Sequence, residues 1–103
     1  MTDREVEREK MFTFEFDKGK EAVNVKKHDV SFHEATTVFF DRQSLTFYDP
    51  DHSDEEDRFV TMGIASTGRL LFVSHADRGN AIRIISAREA TRGERSHYEK
   101  ENR

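Results

Sequence analysis

Aromatic and polar residues alternate through Met11-Phe12-Thr13-Phe14-Glu15-Phe16, a two-residue period that predicts a strand with Phe12, Phe14 and Phe16 inward. Asp17 is placed to cap a helix over 18–28, whose last turn holds Lys26, Lys27 and His28, where cations complement the helix dipole. Ser31 and Glu34 have the spacing of a capping box. They predict a second helix, ending near Asp41, with Phe32, Ala35, Val38 and Phe39 on its core face. Leu45-Thr46-Phe47-Tyr48 alternates and reads as a strand. Phe59–Ala65 and Leu70–His75 read as two more, joined at Ser66-Thr67-Gly68-Arg69, where Gly68 supplies a positive φ. A turn at Asp77-Arg78-Gly79 leads into a strand over Ala81–Ile85. Ser86 and Glu89 repeat the capping-box spacing, so this strand is expected to turn directly into a helix over 87–100, with Arg88 in its first turn.

The order is β-α-α-β-β-β-β-α. It predicts an α+β fold: an antiparallel four-strand meander plus an N-terminal strand, two N-terminal helices on one face, and a C-terminal helix. Alternation in the last strand puts Ile82, Ile84 and Ser86 on one side and Arg83 and Ile85 on the other. An arginine within an apolar strand has two explanations, an edge position with a salt bridge or a cationic site on the open face of the sheet.

At 103 residues the chain suits a single domain over 11–100, preceded by a charged arm over 1–10 that is expected to be disordered. The N-terminus lacks the apolar core of a signal peptide, no apolar run reaches membrane-spanning length, and there is no cysteine. Cytoplasmic location without a membrane partner is the expectation. The net charge of −4 is uneven. Residues 66–103 carry eight Lys and Arg against five Asp and Glu, and residues 1–65 carry nine against sixteen. Such a chain can present a basic side to an anion such as nucleic acid, or an acidic side to a basic partner.

Metal motifs fail on spacing. His33-Glu34 opens like a zinc-protease helix, but Thr37 stands where the second histidine belongs. The acidic run Asp49–Asp57 fails as a calcium loop, with Glu56 in place of the required glycine and Met62 at the closing position. It reads instead as a solvated hairpin loop. No glycine-rich phosphate loop or nucleophile elbow is present, so neither a metal nor a cofactor is expected.

The remaining candidates each carry a plain alternative. His28 beside Lys27 is a proton shuttle or a helix-terminal cation. Arg58, after Asp57, is a site residue or half of a cross-strand ion pair. Arg88, Arg92 and Arg95 share a helical face for phosphate or merely for water. Tyr98 is a site residue or a packing residue. Cleaving RNA without a metal needs a base for the 2′-OH, cations for the charge growing on phosphorus, and an acid for the leaving 5′ oxygen. These residue types suffice for that chemistry, but they are common, and spacing reaches only a small α+β domain with a candidate anion site.

Several ordered stretches carry more. Phe14-Glu15-Phe16-Asp17 with Lys20 and Asn24, Lys27-His28-Asp29-Val30-Ser31-Phe32 with Glu34-Ala35 and Val38-Phe39, and Asp49-Pro50-Asp51-His52-Ser53 stand in order. Asp57-Arg58-Phe59 before Gly63 follows, then Arg83-Ile84-Ile85-Ser86-Ala87-Arg88 with Ala90-Thr91, Glu94-Arg95 and Tyr98. In these the chain resembles the BrnT family of type II toxins over about residues 12–98. The family usually has Trp at Phe16, Gly at Asp29 and Glu at Asp57. The resemblance implies a RelE-like fold and a metal-independent endoribonuclease that inhibits translation and growth. It also implies neutralisation by a BrnA-like ribbon-helix-helix antitoxin, with operator DNA contacted only through that partner. On this reading Arg58 and Arg83 bind the scissile phosphate. His28 is the leading acid or base beside Lys27, and Asp57 is orienter or second proton carrier. Lys27, Arg88, Arg92 and Tyr98 hold the RNA. Two other readings stand beside it, a non-catalytic antitoxin-binding module that supports operator repression, and a nucleic-acid-binding protein without an antitoxin.

Overall fold

The computed structural model describes residues 12–103, so the arm expected over 1–10 lies outside the described residues. The elements are β1 (Thr13–Glu15), α1 (Lys18–His28), α2 (Phe32–Thr36), β2 (Leu45–Tyr48), β3 (Arg58–Ile64), β4 (Leu70–Arg78), β5 (Ala81–Glu89) and α3 (Arg92–Glu101), with 3₁₀ turns at Thr37–Phe40 and Pro50–His52. The sheet order is β1-β5-β4-β3-β2. The meander from β2 to β5 is antiparallel, whereas β1 joins β5 in parallel, Thr13 opposite Ala81. Among the described residues no helix is long and apolar enough to cross a membrane.

The caps explain the helix boundaries. The Asp17 side chain accepts the Lys20 N–H, and α1 ends at Asp29, which takes a left-handed conformation (φ 58°, ψ 36°). Ser31 Oγ accepts the Glu34 N–H, but the Glu34 carboxylate turns away to Arg69 and Thr67, so only half of the expected box forms. The second helix gives way to a 3₁₀ turn after five residues. Thr36 and Thr37 donate their hydroxyls back to the His33 and Glu34 carbonyls, a bond that competes with regular helix. Gly63 lets that turn lie against β3, since a Cβ there would stand 2.9 Å from the Val38 carbonyl oxygen.

One sheet face packs on α1 and α2 through Val30, Phe32, Val38, Leu71, Val73 and Ile84. On the other face α3 covers one end only, with Tyr98 against Met62 and Leu70. The end of this face that carries Arg58 and Arg83 is left open.

The end of β5 departs from expectation. The strand continues to Glu89, and the helix starts at Arg92 with a complete capping box between Thr91 and Glu94. Ser86 is no cap. It pairs with Ser74 in the ladder, and Asn24 holds the next residue by donating to the Ala87 carbonyl at 2.8 Å and accepting its N–H at 3.1 Å. Asn24 thereby supplies the backbone partners that β1 is too short to reach. Ser74 pairs with Ser86 and His75 with Ile84, so Ile85 is an unpaired bulge residue. The bulge resets the alternation: Ile82, Ile84 and Ala87 face the helices, and Ser86 lines the open face with Ile85. Arg88 is therefore a strand residue and shares no helical face with Arg92 and Arg95. β4 also runs on to Arg78, which narrows the expected turn to Gly79 and Asn80.

Candidate active site

Arg58 on β3 and Arg83 on β5 both stand opposite Ala76 of the intervening strand, so strand register alone puts them on one face with a single small residue between them. Glu56 lies between the two guanidiniums. Its Oε2 accepts from Arg83 Nη2 and stands 3.4 Å from Arg58 Nη2. The Arg83 guanidinium, with Arg58 beside it, holds the Glu56 carboxyl below its ordinary range. Arg58 Nε and Arg83 Nε are buried and have no hydrogen-bond partner among the described residues. Two cations with unused donors therefore converge on one carboxylate oxygen.

The acidic loop is built rather than merely solvated. Ser53 Oγ donates to the Asp49 carbonyl at 2.6 Å and accepts the Arg58 N–H at 2.9 Å, while the Asp49 N–H donates to the Arg58 carbonyl. These bonds close the loop on itself and turn Glu56 inward. Pro50 opens a 3₁₀ turn that carries His52, whose Nδ1 lies 2.8 Å from Asp49 Oδ2. His52 and Arg58 line two adjoining grooves. A polar one of about 660 Å³ also holds Glu56 and Arg83, and a largely apolar one of about 490 Å³ runs over β2 to β5.

The other candidates lie elsewhere. Lys27 and His28 are exposed at the end of α1, beside a groove shared with Lys20 and Asn24 that meets the apolar groove at Ile85 and Ser86. The Asp57 side chain faces Tyr48, whose hydroxyl donates to it at 3.4 Å, and takes no part in the arginine cluster. Arg88 makes a two-pronged pair with Glu94 at 2.9 Å for each bond and lies 4.2 Å above the Phe72 ring. That pair lowers the Glu94 carboxyl and raises the arginine. Arg92 is exposed on α3. Tyr98 is 6% exposed and donates its hydroxyl to Asp41. Burial first, then that bond, push its pKa to about 12, and its packing on Met62 and Leu70 makes it the core contact of α3 rather than an open-face residue.

Two residues were not singled out from the sequence. Glu56 sits within a charge run, and nothing local distinguishes it from Glu55. His52 had a usable signal, since Asp49-Pro50-x-His52 sets a histidine one turn from a carboxylate, the spacing at which a side chain can hold an imidazole. Among the described residues no group of three or more His, Asp or Glu side chains has metal-holding geometry.

A family profile for the ribonuclease toxin BrnT of type II toxin-antitoxin systems matches residues 16–94, a span that contains both arginines, Glu56 and the Asp49–His52 pair. No curated protein sequence matches the chain. Among solved structures, the chain is similar to the 1.1 Å crystal structure of the Brucella abortus ribonuclease toxin BrnT. The TM-score is 0.59 at 21% identity, and the match covers 80% of this chain and 99% of that one. At that identity the likeness is one of fold.

Proposed function

The chain belongs to the BrnT family of ribonuclease toxins of type II toxin-antitoxin systems, and from that premise we propose that it cleaves RNA in the cytoplasm at the Arg58–Arg83 groove without a metal. The observation that carries this reading is the convergence of two guanidiniums, each with an unused buried Nε, on the single oxygen of Glu56. A phosphate offers more acceptor oxygens than a carboxylate and matches the planar guanidinium fork.

The reaction would run as follows. The RNA 2′-OH attacks its own phosphorus and gives its proton to a base. Charge grows on the non-bridging oxygens between Arg58 and Arg83, and an acid protonates the departing 5′ oxygen. The products are a 2′,3′-cyclic phosphate and a 5′-hydroxyl. His52 takes the acid–base role expected of His28, because it lines the arginine groove and Asp49 engages its Nδ1, which leaves Nε2 for proton transfer. Lys27 and His28, across the Ile85 bulge, hold the flanking RNA backbone together with Arg92. Arg88 contributes through its seat on Phe72.

The antitoxin expected of the family is a BrnA-like ribbon-helix-helix protein. It would cover this groove and carry the complex to operator DNA. The test is cleavage of bulk RNA by the purified protein in EDTA, beside an Arg83→Ala protein prepared identically. Wild-type cleavage that falls by roughly 10²–10³ in the variant is the expected result. Equal cleavage by both would place the site elsewhere. If neither cleaves and expression without an antitoxin leaves growth unaffected, the protein is the non-catalytic module.

A further inference from the structure

The apolar groove that adjoins the arginines has no role in the chemistry above. Its floor is Val60, Phe72 and Ile85, its outer wall is Phe47, and its mouth is Arg58 and His52. Phe47 is 40% exposed on the edge strand β2. The Arg88 guanidinium lies over one face of the Phe72 ring, 4.2 Å from its centroid. Ser74 and Ser86 pair across β4 and β5, and both line this groove.

We propose that this groove is a nucleobase subsite, taking one unpaired base of the RNA strand next to the phosphate held by Arg58 and Arg83. The inference rests on the ribonuclease reading and adds the substrate class, single-stranded RNA with one base turned out of its stack. Four observations carry it. The apolar groove and the cationic groove share His52 and Arg58, so they are contiguous. An aromatic floor and wall supply π faces for stacking, which any base accepts. Two serine hydroxyls in the lining, each able to donate and accept, suit the polar edge of a base rather than an aliphatic side chain. A volume of about 490 Å³ admits a purine with room for its ribose.

The probe is a short single-stranded 2′-O-methyl oligoribonucleotide, which cannot be cleaved because its nucleophile is blocked. One version carries 2-aminopurine at a central position, and a second is abasic there with unchanged charge. The wild-type protein should bind the base-bearing version about ten-fold more tightly than the abasic one and change its fluorescence on stacking. Phe47→Ala should remove that preference and leave abasic affinity unchanged. Ser86→Ala should weaken the preference, and it provides a second variant on a different strand if β2 is disturbed. Equal binding of both versions by the wild type overturns the inference, as does a preference untouched by both substitutions. Loss of antitoxin binding in Phe47→Ala with no base preference in the wild type assigns the groove to the protein partner instead. The two readings fail separately. Cleavage in EDTA without base preference removes only the subsite, and base preference without cleavage removes only the ribonuclease chemistry.

Discussion

The hydroxyl of Thr61 lies 2.8 Å from Nε2 of His75, deep beneath the sheet face that the helices cover. The other ring nitrogen is 2.8 Å from Asp77 Oδ1, and Thr61 passes the chain on to Thr46 at 2.8 Å. A carboxylate, an imidazole and a hydroxyl in line resemble a hydrolase triad, but Thr61 is 1% exposed and the ring is enclosed by Phe39 and Phe59. The relay is a structural device that satisfies a buried imidazole across three strands.

That burial makes stability depend on pH. Desolvation lowers the His75 pKa, and Asp77 offsets only part of the effect. The folded value is depressed below the unfolded value of about 6.5, so the unfolded chain takes up a proton first as pH falls. The contribution is intact above about pH 6.5 and declines below it, by up to about 1.4 kcal/mol per pH unit, until the folded histidine titrates. Urea unfolding at a series of pH values between 7.5 and 5 should show this slope, and His75→Gln should flatten it. The carboxylates lowered by their partners, Glu34, Asp41 and Glu94, lose their contribution only as pH falls below their ordinary range, so the two effects occupy separate windows.

Glu56 occupies the place assigned to the scissile phosphate, so RNA must displace it. Because this half-buried carboxylate engages both guanidiniums and competes with the phosphate for them, Glu56→Gln should tighten binding of an uncleavable oligonucleotide by a few-fold and lower KM with little change in kcat. A variant that loses binding and cleavage together would show that Glu56 orients the arginines instead of competing for them.

Much of the fold was legible because local and tertiary signals agree. The Asp17 cap, the Phe32–Val38 face and the Gly68 turn (φ 93°) all stand where periodicity and turn chemistry put them. The failure at Ser86 has a definite cause. Ser86-x-x-Glu89 and Thr91-x-x-Glu94 are the same local pattern, and only the second becomes a cap. What decides is Asn24, 63 residues away, which occupies the Ala87 backbone, together with the pairing of Phe72 with Arg88 and Leu71 with Glu89. Of the candidate site, the two arginines were legible as charges and the carboxylate between them was not. Arg58 and Arg83 stand out as charges at strand positions. Which member of the acidic run meets them depends on how Ser53 closes the loop, and that closure involves backbone atoms the sequence pattern does not report.

Asp29 stores a small, removable strain. It is the one non-glycine residue with positive φ among those described, and its acidic side chain stands at the C-terminal, electronegative end of α1. Its carbonyl accepts from Arg69 Nη2 at 2.7 Å, a bond that does not depend on the side chain. Asp29→Gly should therefore stabilise the protein by about 1 kcal/mol. That corresponds to a rise in Tm of roughly 4–8 °C for a domain of this size. A scanning calorimetry comparison decides it, and no gain would mean that the carboxylate makes a compensating interaction.

The two histidines offered for proton transfer are distinguished by what lies around them. His52 has a carboxylate on one ring nitrogen and the arginine groove before it, whereas His28 sits exposed at a helix end beside Lys27. His52→Asn should lower kcat by roughly 10²–10⁴, the usual scale for a general acid or base, with affinity for the uncleavable oligonucleotide unchanged. Asp49→Asn should lower kcat less and alter the pH profile, because it changes the group that holds the ring and not the ring itself. His28→Ala and Lys27→Ala should weaken binding, more so at low salt, and spare kcat. Asp57→Ala should do little, since its side chain accepts a hydrogen bond from Tyr48 and, among the described residues, none from the arginines. If His28→Ala stops cleavage while His52→Asn does not, the acid–base centre lies across the bulge at the end of α1. RNA would then have to pass over Ile85 and Ser86 to reach both that histidine and the two arginines.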